Sequence, residues 1–257
     1  MKKGKKLLIA LGMVVAAVAI AAGSIAGTVA YMTSASKVSN VFTIGNVKIA
    51  MDEGKVNADG QIPDPNVRTD SNSYLLMPGK SYDKDPLITV QADTQACYLF
   101  LVTRNQISSI EDPSKPTMAD QMVANGWGIY KDTTAGTRVW IYCGSSANVN
   151  ADDKMAINPV AICGESVATA GATQVTTIPV FTQFHITTTQ SDNLAIYAGA
   201  EVTLNAVGIQ ADSFGALGAK TSVDAAWVAV VNQFPYIQDN VGTVTPPETE
   251  TEAPAEA

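Results

Sequence analysis

Val41-Phe42-Thr43-Ile44-Gly45-Asn46-Val47-Lys48-Ile49-Ala50-Met51 places apolar side chains at 42 and 44 and then at 47, 49 and 51. The period is two on both sides, as in strands with one buried face, and the phase slips by one at Gly45-Asn46. A bulge or tight turn at that pair accounts for the slip. Strand signals recur outward from this stretch. Leu87-Ile88-Thr89-Val90 and Cys97-Tyr98-Leu99-Phe100-Leu101-Val102 are β-branched and aromatic runs joined by residues 91–95, which predicts a meander through a buried sheet. Further strands are expected at 127–130, 138–143, 161–163, 178–186 and 201–210. Residues 52–72 are polar, with Gly54, Gly60, Pro63 and Pro65, and read as a long exposed loop; Pro78-Gly79 marks a turn. Pro116 opens a short helix bearing Met118, Ala119, Met122 and Val123 and stopped at Asn125-Gly126. Ser222 is expected to cap another, over residues 223–233, carrying Trp227, Val228 and Val231. Many short strands with two or three small helices predict an all-β fold, an antiparallel β-sandwich, because helices are too few to cross over between parallel strands.

The 257 residues include 16 Lys+Arg, 24 Asp+Glu and one His, for a net charge of −8. That balance argues against nucleic acid and anionic membrane as partners, since both would repel the chain. With 46% apolar and only 16% charged residues the chain buries a core. A single imidazole, His185, leaves little room for metal or acid/base chemistry, since His-rich zinc sites, Ser-His-Asp triads and Cys-His dyads each need a positioned imidazole. It lies between Phe184 and Ile186 on an expected strand, where a hydrogen-bonded or surface histidine is the simpler reading.

Residues 1–6 carry four lysines, residues 7–22 are apolar apart from Gly12, and small residues lead to Thr28-Val29-Ala30. This is the pattern of a secretory signal peptide cleaved between Ala30 and Tyr31. The alternative is an uncleaved anchor, since residues 7–30 are long enough to span a bilayer. Cleavage would leave 12 basic against 24 acidic residues, net −12. The expected organisation is a signal peptide over 1–30, a sandwich domain over 31–240 and a disordered acidic Pro/Thr/Glu tail over 241–257. Three cysteines are an odd number; Cys143 and Cys163 are the candidate disulfide, whereas Cys97 reads as a buried small hydrophobe.

No chemistry announces itself. Asp52-Glu53, Asp59-Gly60 and Asp152-Asp153 offer oxygens, but none follows an EF-hand pattern, and solvated loop carboxylates are the default. There is no Gly-x-Ser-x-Gly, Walker loop or Gly-x-Gly-x-x-Gly, and neither a cofactor nor a metal is called for. Trp127, Tyr130, Trp140 and Tyr142 lie on neighbouring strands, as a sugar-binding face or, more simply, as core.

Thr28-Val29-Ala30-Tyr31-Met32-Thr33-Ser34-Ala35, followed by Asn40-Val41-Phe42-Thr43-Ile44-Gly45-Asn46-Val47, resembles the start of the TasA/camelysin family of secreted Gram-positive proteins. Pro78-Gly79-Lys80 with Lys84-Asp85-Pro86, and Ala206-Val207-Gly208-Ile209-Gln210-Ala211 with Asp224-Ala225-Ala226-Trp227, agree with it. Residues 107–177 match nothing in the family and are expected to be an insertion in a sandwich loop.

The resemblance implies a jelly-roll-like sandwich, processed by a signal peptidase of SipW type, membrane-bound only before cleavage, and released to the extracellular matrix or cell surface. Its partners would be further copies of itself in a biofilm-matrix fibre, together with a minor fibre-anchoring protein. In such fibres the segment after the cleavage site completes the sheet of the next subunit, so residues 31–41 are the candidate donor strand, with Tyr31, Ala35, Val38 and Val41 as candidate assembly residues. The alternative is that this segment is the first strand of its own domain or a loose arm. Camelysin-type relatives are metallopeptidases. A zincin needs two His at i and i+4, which one His cannot supply, so the expectation is a protein that is not an enzyme. A monomeric adhesin or carbohydrate-binding module is the third reading.

Overall fold

The computed structural model describes residues 33–132, 137–163, 176–188, 194–216 and 218–234, with 33–40 as backbone. The expected signal peptide and its cleavage residues Ala30 and Tyr31, and the expected acidic tail, lie outside the described residues. The described residues form twelve strands: β1 (Thr33–Ile44), β2 (Ile49–Gly54), β3 (Arg68–Thr69), β4 (Ser71–Leu75), β5 (Ser81–Asp83), β6 (Leu87–Val90), β7 (Cys97–Asn105), β8 (Trp127–Asp132), β9 (Thr137–Tyr142), β10 (Thr176–Pro179), β11 (Gln183–His185) and β12 (Val202–Gln210). Two α-helices accompany them, α1 (Met118–Ala124) and α2 (Lys220–Gln233). The β-rich class follows from the alternating runs, as expected.

The strands form a six-stranded sheet in the order β4-β1-β12-β7-β9-β8, a four-stranded sheet β10-β6-β2-β3, and a pair β11-β5. One expectation fails here: the large sheet is mixed, because β1 runs parallel to β12. Parallel neighbours need a long connection. Helical crossovers are few, but β1 and β12 lie at opposite ends of the described chain, so the rest of the domain is the connection. Nor do β6 and β7 form a meander, since β6 pairs with β2 and β10 in the small sheet while β7 joins β12 and β9.

The large sheet is buried on both faces. Leu99, Leu101, Leu204 and Ala206 face one core, shared with Ile49, Met51, Ile88, Val90 and Ile178 of the small sheet. Tyr98, Phe100, Val207 and Ile209 face a second core, closed by Val223, Ala226, Trp227 and Val230 of α2. A fully buried side chain of this kind contributes about 1.5–3 kcal/mol relative to exposure, so two-sided burial makes β7 and β12 the anchor of the fold. Gly208 permits the close packing of the layers, because a Cβ there would lie 2.7 Å from Val47 Cγ1.

Other local expectations divide. The helix opened at Pro116 forms with a capping box from Thr117 to Asp120, and Gly126 takes the left-handed φ of +84° that ends it. The later helix begins at Lys220, with Ala219 at its N-cap and no side-chain cap, so Ser222 lies within its first turn and is buried. Residues 52–72 are not simply an exposed loop: β2 runs to Gly54 with Glu53 buried, and β3 and the start of β4 lie in this stretch. Residues 107–177 are more than a loop insertion, for they supply β8 and β9 of the large sheet. The expected strand at 161–163 reduces to one bridge, Ile162 against Cys97, and 178–186 divides into β10 and β11, which belong to different sheets.

Candidate functional site

The segment singled out as a donor, residues 31–41, is described from Thr33 onward as the greater part of β1, and the pairing of β1 is divided. Its first half lies antiparallel to β4, from Thr33 opposite Leu75 to Lys37 opposite Ser71. Its second half lies parallel to β12, from Val38 opposite Leu204 to Ile44 opposite Ile209, with a register shift between Val38 and Asn40. β1 therefore fills a slot whose two lips, β4 and β12, have no other strand between them. Val41 is half-buried against the first core, whereas Phe42 and Ile44 face the second. The Phe42 ring lies 5.0 Å from that of Phe234, just beyond α2.

After Ile44 the chain leaves the large sheet for the small one. Gly45 makes this exit with φ +83°, and a Cβ there would stand 2.6 Å from Gln210 Oε1. That oxygen accepts the Asn46 N–H at 3.1 Å. Gln95 N–H donates to the Asn46 carbonyl at 3.1 Å and Lys48 N–H to Thr94 Oγ1 at 3.3 Å, so the far side of the link is pinned to the body. The opposite border of the large sheet is covered: Ile129 N–H donates to Lys154 O at 2.7 Å and Ala156 N–H to Ile129 O at 2.9 Å. Withdrawal of β1 would leave β4 and β12 with unmade backbone hydrogen bonds, the template on which another strand adds.

The other singled-out residues do not converge. Ala35 stands opposite Ser73 in the β1–β4 register. All three thiols are free: Cys97 and Cys143 are buried and Cys163 is exposed. The Cys143–Cys163 pairing is not made; Ile162, next to Cys163, instead exchanges backbone hydrogen bonds with Cys97 at 2.7 and 2.9 Å. Burial pushes the Cys97 thiol up to about 12, with the Cys163 charge adding to it, and the Cys143 thiol up to about 11. His185 Nδ1 shares a 2.7 Å hydrogen bond with Ser81 Oγ, and burial followed by Lys115 lowers its proton affinity against the pull of Asp112. Among the described residues no three His, Cys, Asp or Glu side chains gather as a metal site.

The aromatic quartet is split between faces. Trp127 and Trp140 are buried and donate to Pro179 O and Thr103 Oγ1, both at 3.0 Å, and Tyr142 packs on the same core as they do. Tyr130 lies on the second core and donates to Asp224 Oδ1 at 2.7 Å. All four therefore pack in or against the two cores, the tryptophans fully buried and the tyrosines partly so. Asp52 and Glu53 lie on β2 rather than in a loop: Glu53 is fully buried against Lys84, whereas Asp52 pairs with Arg68 at 2.8 Å from a partly solvent-exposed position.

A cavity of about 360 Å³ opens beside β12, with Leu204 and Trp140 on its wall and Glu111, Arg138 and Lys154 among its polar lining. The Glu111 carboxylate accepts from Asn105 Nδ2 at 2.7 Å and Met118 N–H at 2.8 Å, and burial raises its proton affinity against those bonds. No sequence motif marks this cavity, because its walls come from distant elements. The Gly45-Asn46 link between β1 and β2 was legible in part, since that pair stands out as a turn; its partner Gln210 carries no signal. The chain matches no protein-family model, no curated protein sequence and no solved structure at a significant level.

Proposed function

We propose that the protein is a secreted structural subunit that assembles into extracellular fibres or a surface coat by exchanging β1 between copies, within the jelly-roll-like sandwich that its resemblance to the TasA/camelysin family implies. The observation that carries this reading is the slot: β1 joins the body through the Gly45-Asn46 link, and both its neighbours become open edges without it. The same segment from a second copy meets the same register, so exchange trades intramolecular contacts for identical intermolecular ones. Domain swapping of this kind costs little because no new interface has to be created, and a head-to-tail exchange that does not close extends into a filament. Parallel pairing is slightly less stable per residue than antiparallel pairing, which favours β12 as the lip that releases. The segment is rich in Ser and Thr and adheres less strongly than an aliphatic strand. Membrane attachment before cleavage after Ala30 would hold the donor end until processing frees it.

The test compares the chain from Tyr31 with the chain from Thr43 by size-exclusion chromatography and negative-stain microscopy over days. Fibres are expected from the longer form only. Persistent monomers of the longer form, or fibres from both, would remove β1 from the assembly.

A further inference from the structure

Glu53 on β2 and Lys84, in the link between β5 and β6, are both fully buried, and Lys84 Nζ donates to Glu53 Oε2. Their backbones are clamped together from both sides. Asp85, next to Lys84, accepts the N–H of Gly54, next to Glu53, at 2.5 Å through Oδ1. Its Oδ2 pairs with Arg68 Nη1 at 2.7 Å, and Arg68 Nε reaches Asp52 Oδ1, on the other side of Glu53, at 2.8 Å. Lys84 N–H is held by Thr182 O at 2.9 Å. Amine and carboxyl are therefore kept in contact out of reach of bulk solvent and in a fixed orientation, the condition under which an intramolecular reaction gains most over its bimolecular counterpart.

We propose that Lys84 and Glu53 are a modification site at which folding closes an intramolecular isopeptide bond. A buried ion pair pays for desolvation at both ends, and moving one proton from the ammonium to the carboxylate gives a neutral amine and a neutral acid. Burial lowers the proton affinity of Lys84, while the Glu53 and Asp85 charges oppose this. The Nζ lone pair then attacks Glu53 Cδ, and the C–N bond forms. The C–OH bond breaks, and the hydroxyl departs with a proton from the nitrogen as one water. No electrons change owner, so no oxidant or cofactor is required. Asp85, whose charge acts on Lys84, is a positioning residue that favours the cationic nitrogen of the tetrahedral intermediate. The amide replaces two buried charges with one neutral group. It also closes a loop that contains β3 and β4, fastening the β4 lip of the β1 slot to the small sheet.

The test is the mass of the purified full chain, read against the sequence from its own observed N-terminus, followed by tryptic mapping. The expected result is a mass deficit of one water and a single branched peptide joining residues 49–55 to the peptide containing Lys84, with no cleavage after Lys84. Lys84→Arg is expected to return the full mass. A wild-type chain of full sequence mass, with the two peptides separate, would overturn the proposal, and this reading does not depend on whether the variant folds.

Discussion

Gly45 lies against the side chain of Gln210, whose Oε1 also accepts the N–H of Asn46 at 3.1 Å. One contact thus fixes the corner where β1 ends and ties it to the last residue of β12. Left-handed backbone and steric closeness both require glycine here. Gly45→Ala is expected to cost about 1–2 kcal/mol, measured as a lower urea midpoint with an unchanged slope. An unchanged midpoint would mean the corner relaxes freely.

The cysteines differ in access. Cys163 is exposed, whereas Cys97 and Cys143 are buried, with thiols pushed up to about 12 and about 11. Thiolate is the reactive form, so one equivalent of thiol reagent is expected to react in the native protein, at Cys163, and three after unfolding. Peptide mapping of the labelled sites checks this. Native labelling of Cys143 would show that the second core opens.

Glu111 gives a pH dependence of defined sign. Burial raises its folded proton affinity, against the Met118 and Asn105 hydrogen bonds. The folded state therefore holds this proton more tightly than the unfolded state, and the associated stability is present at low pH and lost as pH rises from about 4.3 through the raised folded value. Wild-type stability is expected to fall relative to Glu111→Gln across that window in urea titrations at stepped pH. A difference that stays constant with pH would remove Glu111 as the source.

The strands were legible because apolar side chains at 42, 44, 47, 49 and 51 alternate, and alternation reports a buried face. It does not report which sheet provides that burial. The phase slip at Gly45-Asn46 therefore read equally as a bulge or a tight turn, and only the structure shows a left-handed Gly45 carrying the chain from one sheet to another. The parallel β1–β12 pairing was illegible for the same reason, since Ile44 and Ile209 carry no mark of each other across the chain. The candidate donor segment came from what the family resemblance implies rather than from its own residues, and the slot it occupies requires β4 and β12 to be in place. Glu53 looked like solvated acid because the partner buried with it, Lys84, lies 31 residues away in the link between β5 and β6, whereas its neighbour Asp52 does keep contact with solvent. Ser222 looked like a cap on propensity alone, while the backbone starts the helix three residues earlier, with Ala219 at the cap.

The central claim is that β1 of one copy fills the slot of the next, and a chain with a slot but no donor tests it most directly. The chain from Thr43 keeps β12 and β4 and lacks most of β1. Added in small proportion to assembling chains that begin at Tyr31, it is expected to end each growing fibre and shorten mean fibre length in proportion to the amount added, as seen by electron microscopy. A synthetic peptide of residues 31–44, which fills the slot without extending the fibre, is expected to act in the same direction. Fibres of unchanged length in the presence of both would contradict exchange of β1 as the basis of assembly.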